Sequence, residues 1–112
     1  MLFQVAGGCG LGTLKAADNA GIWGIGVDSD EYNDAKRVLT SATKKTDVGV
    51  YNTVISAAAG QFKGGTDLVF NLKNHGVGVG RISPVVPASW IKLMNSYRTK
   101  IVAGTLKVPT SL

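Results

Sequence analysis

Ile22-Trp23-Gly24-Ile25-Gly26-Val27-Asp28-Ser29-Asp30, preceded by the glycine-rich turn GGCGLG at Gly7–Gly12, is the stretch that decides the fold. Ile22, Ile25 and Val27, interleaved with glycines, predict a short buried strand that ends abruptly on carboxylates. In open α/β sheets the carboxyl edge of the strands is where ligands bind. Upstream, Leu2–Ala6 predicts a neighbouring strand whose own carboxyl end is the glycine turn. If the two strands are adjacent and parallel, Gly7–Gly10 stands beside Asp28, and one small polar site is built from backbone amides and a carboxylate.

Outward from this pair, the chain continues as one α/β unit. Leu11, Leu14, Ala17 and Ala20 recur at helical spacing, and Gly21 falls where a left-handed cap ends a helix. Ser29–Lys36 is polar and charged, a surface loop at the rim of the site. Val38–Ala42 predicts a third strand ending at Lys44-Lys45. Val48, Tyr51, Ile55 and Ala58 then mark a helix, with Thr46 or Asp47 as its cap and Gly60 as its end. Asp67–Leu72 predicts a fourth strand, and Val77, Val79 and Ile82 an extended segment weakened by glycine. Pro87 suits the first turn of a last helix, in which Trp90, Ile91, Met94, Tyr97, Ile101 and Val102 form a stripe expected to pack inward. Gly104 ends it, and Leu106–Pro109 is a last extended piece. No repeat, linker or internal boundary divides residues 1–112.

Composition excludes several classes of function. With 112 residues, 45% of them hydrophobic and 17% charged, the chain suits one globular unit with a modest core. Twelve Lys and Arg against seven Asp and Glu leave a net charge of +5, but the basic residues are scattered and no stripe with interleaved aromatics forms. Nucleic acid is therefore not an expected partner. Cys9 is the single cysteine and His75 the single histidine, so neither a disulfide framework nor a cysteine-rich metal site is expected, and no cofactor is implied. A Cys9–His75 nucleophilic pair is not supported, because the two lie in distant turns. No window approaches the ~18 apolar residues of a membrane span, and no signal peptide is expected in the chain as it stands, since Cys9 lacks an upstream basic and apolar segment.

The glycine turn invites a dinucleotide fingerprint with Asp28 as the ribose acid, but Thr13 stands where a third small residue belongs. The turn can still offer amides to a ligand, so a small stand-alone nucleotide-binding enzyme or regulatory domain using Gly7–Gly12 remains an alternative. Asp28, at the strand end, suits a vicinal diol because a carboxylate accepts two hydrogen bonds. Asp30 suits a cap or a solvated loop. Of Lys44 and Lys45, one can reach the same crevice.

Taken together, LFQVAGGCGLG, IGVDSD, VLTSATKKTDVGVY, LKNHGVGVG and AGTLKVP, in that order, resemble the basic membrane protein family of substrate-binding lipoproteins of ABC transporters. The resemblance implies a type I periplasmic-binding-protein-like fold, of which this chain matches mainly the second lobe plus a crossover helix, with the first lobe largely missing. It implies purine nucleosides as ligand, an ABC transporter permease as partner of the complete protein, and extracytoplasmic, lipid-anchored placement at the cell membrane. By resemblance, Asp28 binds the ribose hydroxyls, Lys44 reaches the nucleoside, and Gly8 lines the cleft, with Cys9 where the family usually has Thr. No catalytic residue is implied. Without the first lobe, the chain is expected to bind nucleoside poorly and to self-associate through its apolar helix.

Overall fold

The computed structural model describes residues 1–109, and within them the strands form a single four-stranded sheet in sequence order. The elements are β1 (Leu2–Phe3), α1 (Gly10–Asn19), β2 (Gly24–Asp28), β3 (Val38–Lys44), α2 (Thr46–Ala58), β4 (Val77–Val79) and α3 (Ala88–Val102), with a 3₁₀ turn at Gly7–Cys9. β1, β2 and β3 are parallel, and β4 joins β3 antiparallel with Lys44 opposite Val77. The carboxyl ends of all three parallel strands therefore lie on one edge, and β4 starts there. Asp28 pairs in register with Thr43, which brings the end of β2 level with Lys44.

Packing explains why these stretches adopt these forms. Leu14 and Ala17 of α1 are buried, and Gly24 makes room for Leu14, since a Cβ there would lie 2.5 Å from its side chain. All three helices stop in the same way. Gly21, Gly60 and Gly104 have φ of 72°, 67° and 75°, and the next residue donates its amide back to Ala17, Ser56 and Lys100. These are Schellman endings, and glycine takes the left-handed position without a Cβ penalty.

Four expectations need correction. Asp67–Leu72 is not a strand. Its backbone groups are taken by side chains instead: Asn74 Nδ2 donates to the Val69 carbonyl at 2.7 Å, and Asn74 Oδ1 accepts from the Asn71 amide at 2.7 Å. Asn side chains that satisfy nearby backbone compete with sheet pairing. Leu106–Pro109 likewise makes no strand. The start of α2 is not capped by Thr46 or Asp47, because β3 runs into the helix with only Lys45 between, and Lys45 occupies the cap position without a side-chain hydrogen bond. Trp90 and Tyr97 do not pack inward: they are 62% and 49% exposed, and no residue of α3 is buried.

The last correction extends to α2, where Gly49 alone is buried and Val50, Tyr51, Val54 and Ile55 are exposed. Among the described residues the buried hydrophobic side chains, Leu14, Ala17 and Val38, lie in α1 and the sheet. Accordingly the radius of gyration is 16.5 Å, whereas about 13 Å is usual for a compact domain of this length.

Candidate functional site

At the carboxyl edge, Lys44 Nζ lies 2.7 Å from Asp28 Oδ1. The sheet register brings the two together, and their backbones differ in character. Lys44 ends β3 without a positive φ, whereas Asp28 has a φ of 70°, and the Ser29 amide donates to the Val27 carbonyl at 2.9 Å across it. A bond from residue i+2 back to residue i around a positive φ is a γ-turn, a rare and strained form for a residue other than glycine. Both side chains are solvent-accessible, Lys44 at 69% and Asp28 at 45%, so their ion pair contributes little to stability.

These two residues line a cavity of about 670 Å³ with Ser29, Asp30, Thr43 and Arg81 among its walls. Its surface combines carboxylates, ammonium and guanidinium groups with a buried hydroxyl, Thr43 Oγ1, that has no hydrogen-bond partner among the described residues. Asp30 is an exposed loop residue, as expected, and its carboxylate has a backbone partner there. It accepts from the Arg81 amide at 2.9 Å, and the Arg81 guanidinium sits 4.3 Å over the Tyr32 ring. The loop after β2 is thereby tied to the segment after β4. Such a rim can accept hydrogen bonds from hydroxyls and donate to an electronegative ring atom.

Gly8 stands apart from this cavity. It lies in the 3₁₀ turn after β1, and a Cβ added there would meet nothing within 4 Å. The Gly7–Gly12 stretch runs directly into α1, with Gly7 at a φ of 53°. Cys9 is a free, exposed thiol. Among the described residues no group of His, Cys, Asp and Glu could hold a metal ion, and no helix is long and apolar enough to cross a membrane.

A second cavity, about 640 Å³ and apolar, opens beside the same edge. Gly49, Val50 and Val54 of α2 face Phe70 and Val77 across it, and Lys44 and Lys45 form its polar lip.

Sequence reasoning missed Gln4, Glu31 and Ser41. All three are buried, and Glu31 Oε2 accepts from Gln4 Nε2 at 2.8 Å and from the Val27 amide at 3.0 Å. The available signal was Gln4 itself, a polar residue inside the apolar run Leu2–Ala6, which demands a buried partner. Glu31 gave no comparable sign, since it sits in a charged stretch that resembles solvated loop.

Comparison with known proteins sets this geometry in a class. Residues 1–111 match the model of the Bmp family, described as ABC transporter substrate-binding protein PnrA-like, and the chain belongs to that family. Among its relatives are a CD4+ T-cell-stimulating antigen of Listeria monocytogenes, 31% identical over 97% of this chain, and an ABC transporter nucleoside-binding protein of Lactococcus lactis, 33% identical over 98%. The chain spans 35% and 36% of the length of these two relatives. A solute-binding protein of Aeropyrum pernix shares the fold with a TM-score of 0.77 at 21% identity, covering 98% of this chain and 40% of that one. A protein of Bacillus halodurans described as a transcriptional activator of the comK gene shares it with a TM-score of 0.86 at 18% identity, covering 94% and 38%. The fold is thus part of the periplasmic-binding-protein-like architecture, and the family is one of substrate-binding transport proteins.

Proposed function

We propose that this chain is a segment of a lipid-anchored, extracytoplasmic substrate-binding protein that captures purine nucleosides for an ABC transporter, without catalysis. The observation that carries the reading is the Asp28–Lys44 pair, held 2.7 Å apart at the carboxyl edge of three parallel strands. Asp28 accepts the two ribose hydroxyls, and Lys44 turns from the carboxylate to an acceptor on the nucleoside. Gly8 contributes backbone at the neighbouring strand end. Family membership and the nucleoside-binding relative support the choice of ligand.

The segment alone is a weak binder. A cleft with one wall leaves the base unstacked and wet, whereas small-molecule sites usually bury most of their ligand. The test is a chimera in which this chain replaces the matching third of the Lactococcus lactis relative, titrated by calorimetry with inosine, adenosine and their 2′,3′-dideoxy analogues. Asp28→Ala is expected to weaken ribonucleoside binding by roughly 1.5–3 kcal/mol, the scale of charge-assisted hydrogen bonds, and to leave the dideoxy compounds unaffected. Equal affinity of the unmodified chimera for ribo and dideoxy ligands overturns the role of Asp28.

The isolated chain, in this reading, covers its apolar α2 face with a second copy. Its accessible surface is 8148 Å², roughly 2,300 Å² beyond that of a compact monomer of its mass, an excess large enough to supply one side of a stable interface.

A further inference from the structure

The γ-turn at Asp28 is strained, and strain of this kind persists only where surrounding contacts over-determine it. Those contacts converge on Glu31, which is 6% exposed and has no basic partner among the described residues. Its Oε2 accepts from the amide of Val27, the first residue of the turn, at 3.0 Å. Its own amide donates to Ser41 Oγ on β3 at 3.0 Å, which fixes the far side of the loop to the sheet. Asp28 therefore sits on a short span of chain anchored at both ends by one residue.

The same oxygen reaches the glycine turn. Gln4 Nε2 donates to it at 2.8 Å, and Gln4 Oε1 accepts from the Ala6 amide at 3.0 Å, where the chain enters Gly7–Cys9. Two glycines keep the space open. A Cβ at Gly26 would lie 2.5 Å from Glu31 Oε2, and one at Gly10 would collide with the Gln4 amide. A buried carboxylate is costly unless its lone pairs are used, and here two neutral donors, Gln4 just after β1 and Val27 of β2, share Oε2.

We infer that Glu31 is a positioning residue, holding the Asp28 γ-turn and, through Gln4, the Gly7–Cys9 turn in one fixed relation. Its significance for ligand recognition rests on the roles given above to Asp28 and Gly8, but the positioning itself is read without ligand. Failure of nucleoside binding in the chimera and failure of this inference are thus separate results.

The experiment is NMR on the isotope-labelled 112-residue chain, following the amide-to-Hα coupling of Asp28 and hydrogen exchange at Ala6 and Val27. Glu31→Leu removes the shared acceptor. Asp28 is then expected to lose the coupling of a positive φ, and exchange at Ala6 and Val27 to rise by about tenfold or more relative to Leu14 and Ala17 in α1. Glu31→Gln keeps an oxygen that can accept from both donors, and should restore the unmodified coupling. An unchanged Asp28 in Glu31→Leu, a loss spread evenly through α1, or a Gln variant as disturbed as the Leu variant overturns the inference. Should Glu31→Leu fail to fold, Ser41→Ala decides: release of Asp28 with α1 intact supports the inference, and an unmoved Asp28 overturns it.

Discussion

Asp18 shows how much a single carboxylate can organise away from the cleft. Its Oδ2 accepts from the Lys36 amide at 3.0 Å and its Oδ1 pairs with Arg37 Nη1 at 2.9 Å, joining the end of α1 to the chain just before β3. The Lys36 amide holds its carboxyl below the usual range, with partial desolvation opposing and the Arg37 guanidinium assisting. A carboxyl depressed in the folded state stabilises the fold above its unfolded value of about 3.9, and that stability is lost as pH falls through the folded value. Melting temperatures between about pH 6 and pH 3 should therefore fall less steeply for Asp18→Asn than for the unmodified chain below about pH 4. At this scale the sequence was informative where an apolar run meets a charge: Asp28 and Lys44 were both legible as strand-end residues, and the register joins them. The γ-turn that aims Asp28 was not legible, because it depends on Glu31 and Ser41, ten positions apart and on different elements.

Glycines separate the elements that tolerate change from those that do not. Gly26 of β2 faces Glu31 and Ser41, whose nearest atoms would lie 2.5 Å and 2.6 Å from an added Cβ. Gly26→Ala is expected to cost about 1–3 kcal/mol in chemical denaturation, the usual penalty of overpacking. Gly8→Ala, in open space, should stay within about 0.5 kcal/mol, and equal losses for the two would remove the crowding explanation. Helix positions were legible because periodicity and terminal glycines agree, and all three predicted glycine ends were found. Periodicity marks an apolar stripe but does not say what covers it, which is why Trp90 and Tyr97 were expected inside. Leu68-Val69-Phe70 has the composition of a strand, yet Asn74 lies close enough in sequence to claim the Val69 carbonyl and the Asn71 amide first.

The molecule as a whole extends 52 × 32 × 29 Å, with its apolar helices outside the core. Light scattering at increasing concentration should show association of the isolated chain, and Val50→Asp together with Val54→Asp should return it to monomer by charging the α2 face. A monomer at every concentration would mean that the face stays open to water. The same openness bears on how the chain denatures. An unfolded chain of this mass exposes about 16,800 Å², so folding removes only about half of it from water, where about two-thirds is usual for this size. Heat-capacity change and denaturant dependence both scale with the area exposed on unfolding. Scanning calorimetry of the monomeric double variant should accordingly give a broad endotherm, with a heat-capacity step below the ~1.3–1.7 kcal/mol/K usual for 112 residues. Such a chain melts gradually, and warming by a few degrees shifts its folded fraction instead of abolishing it.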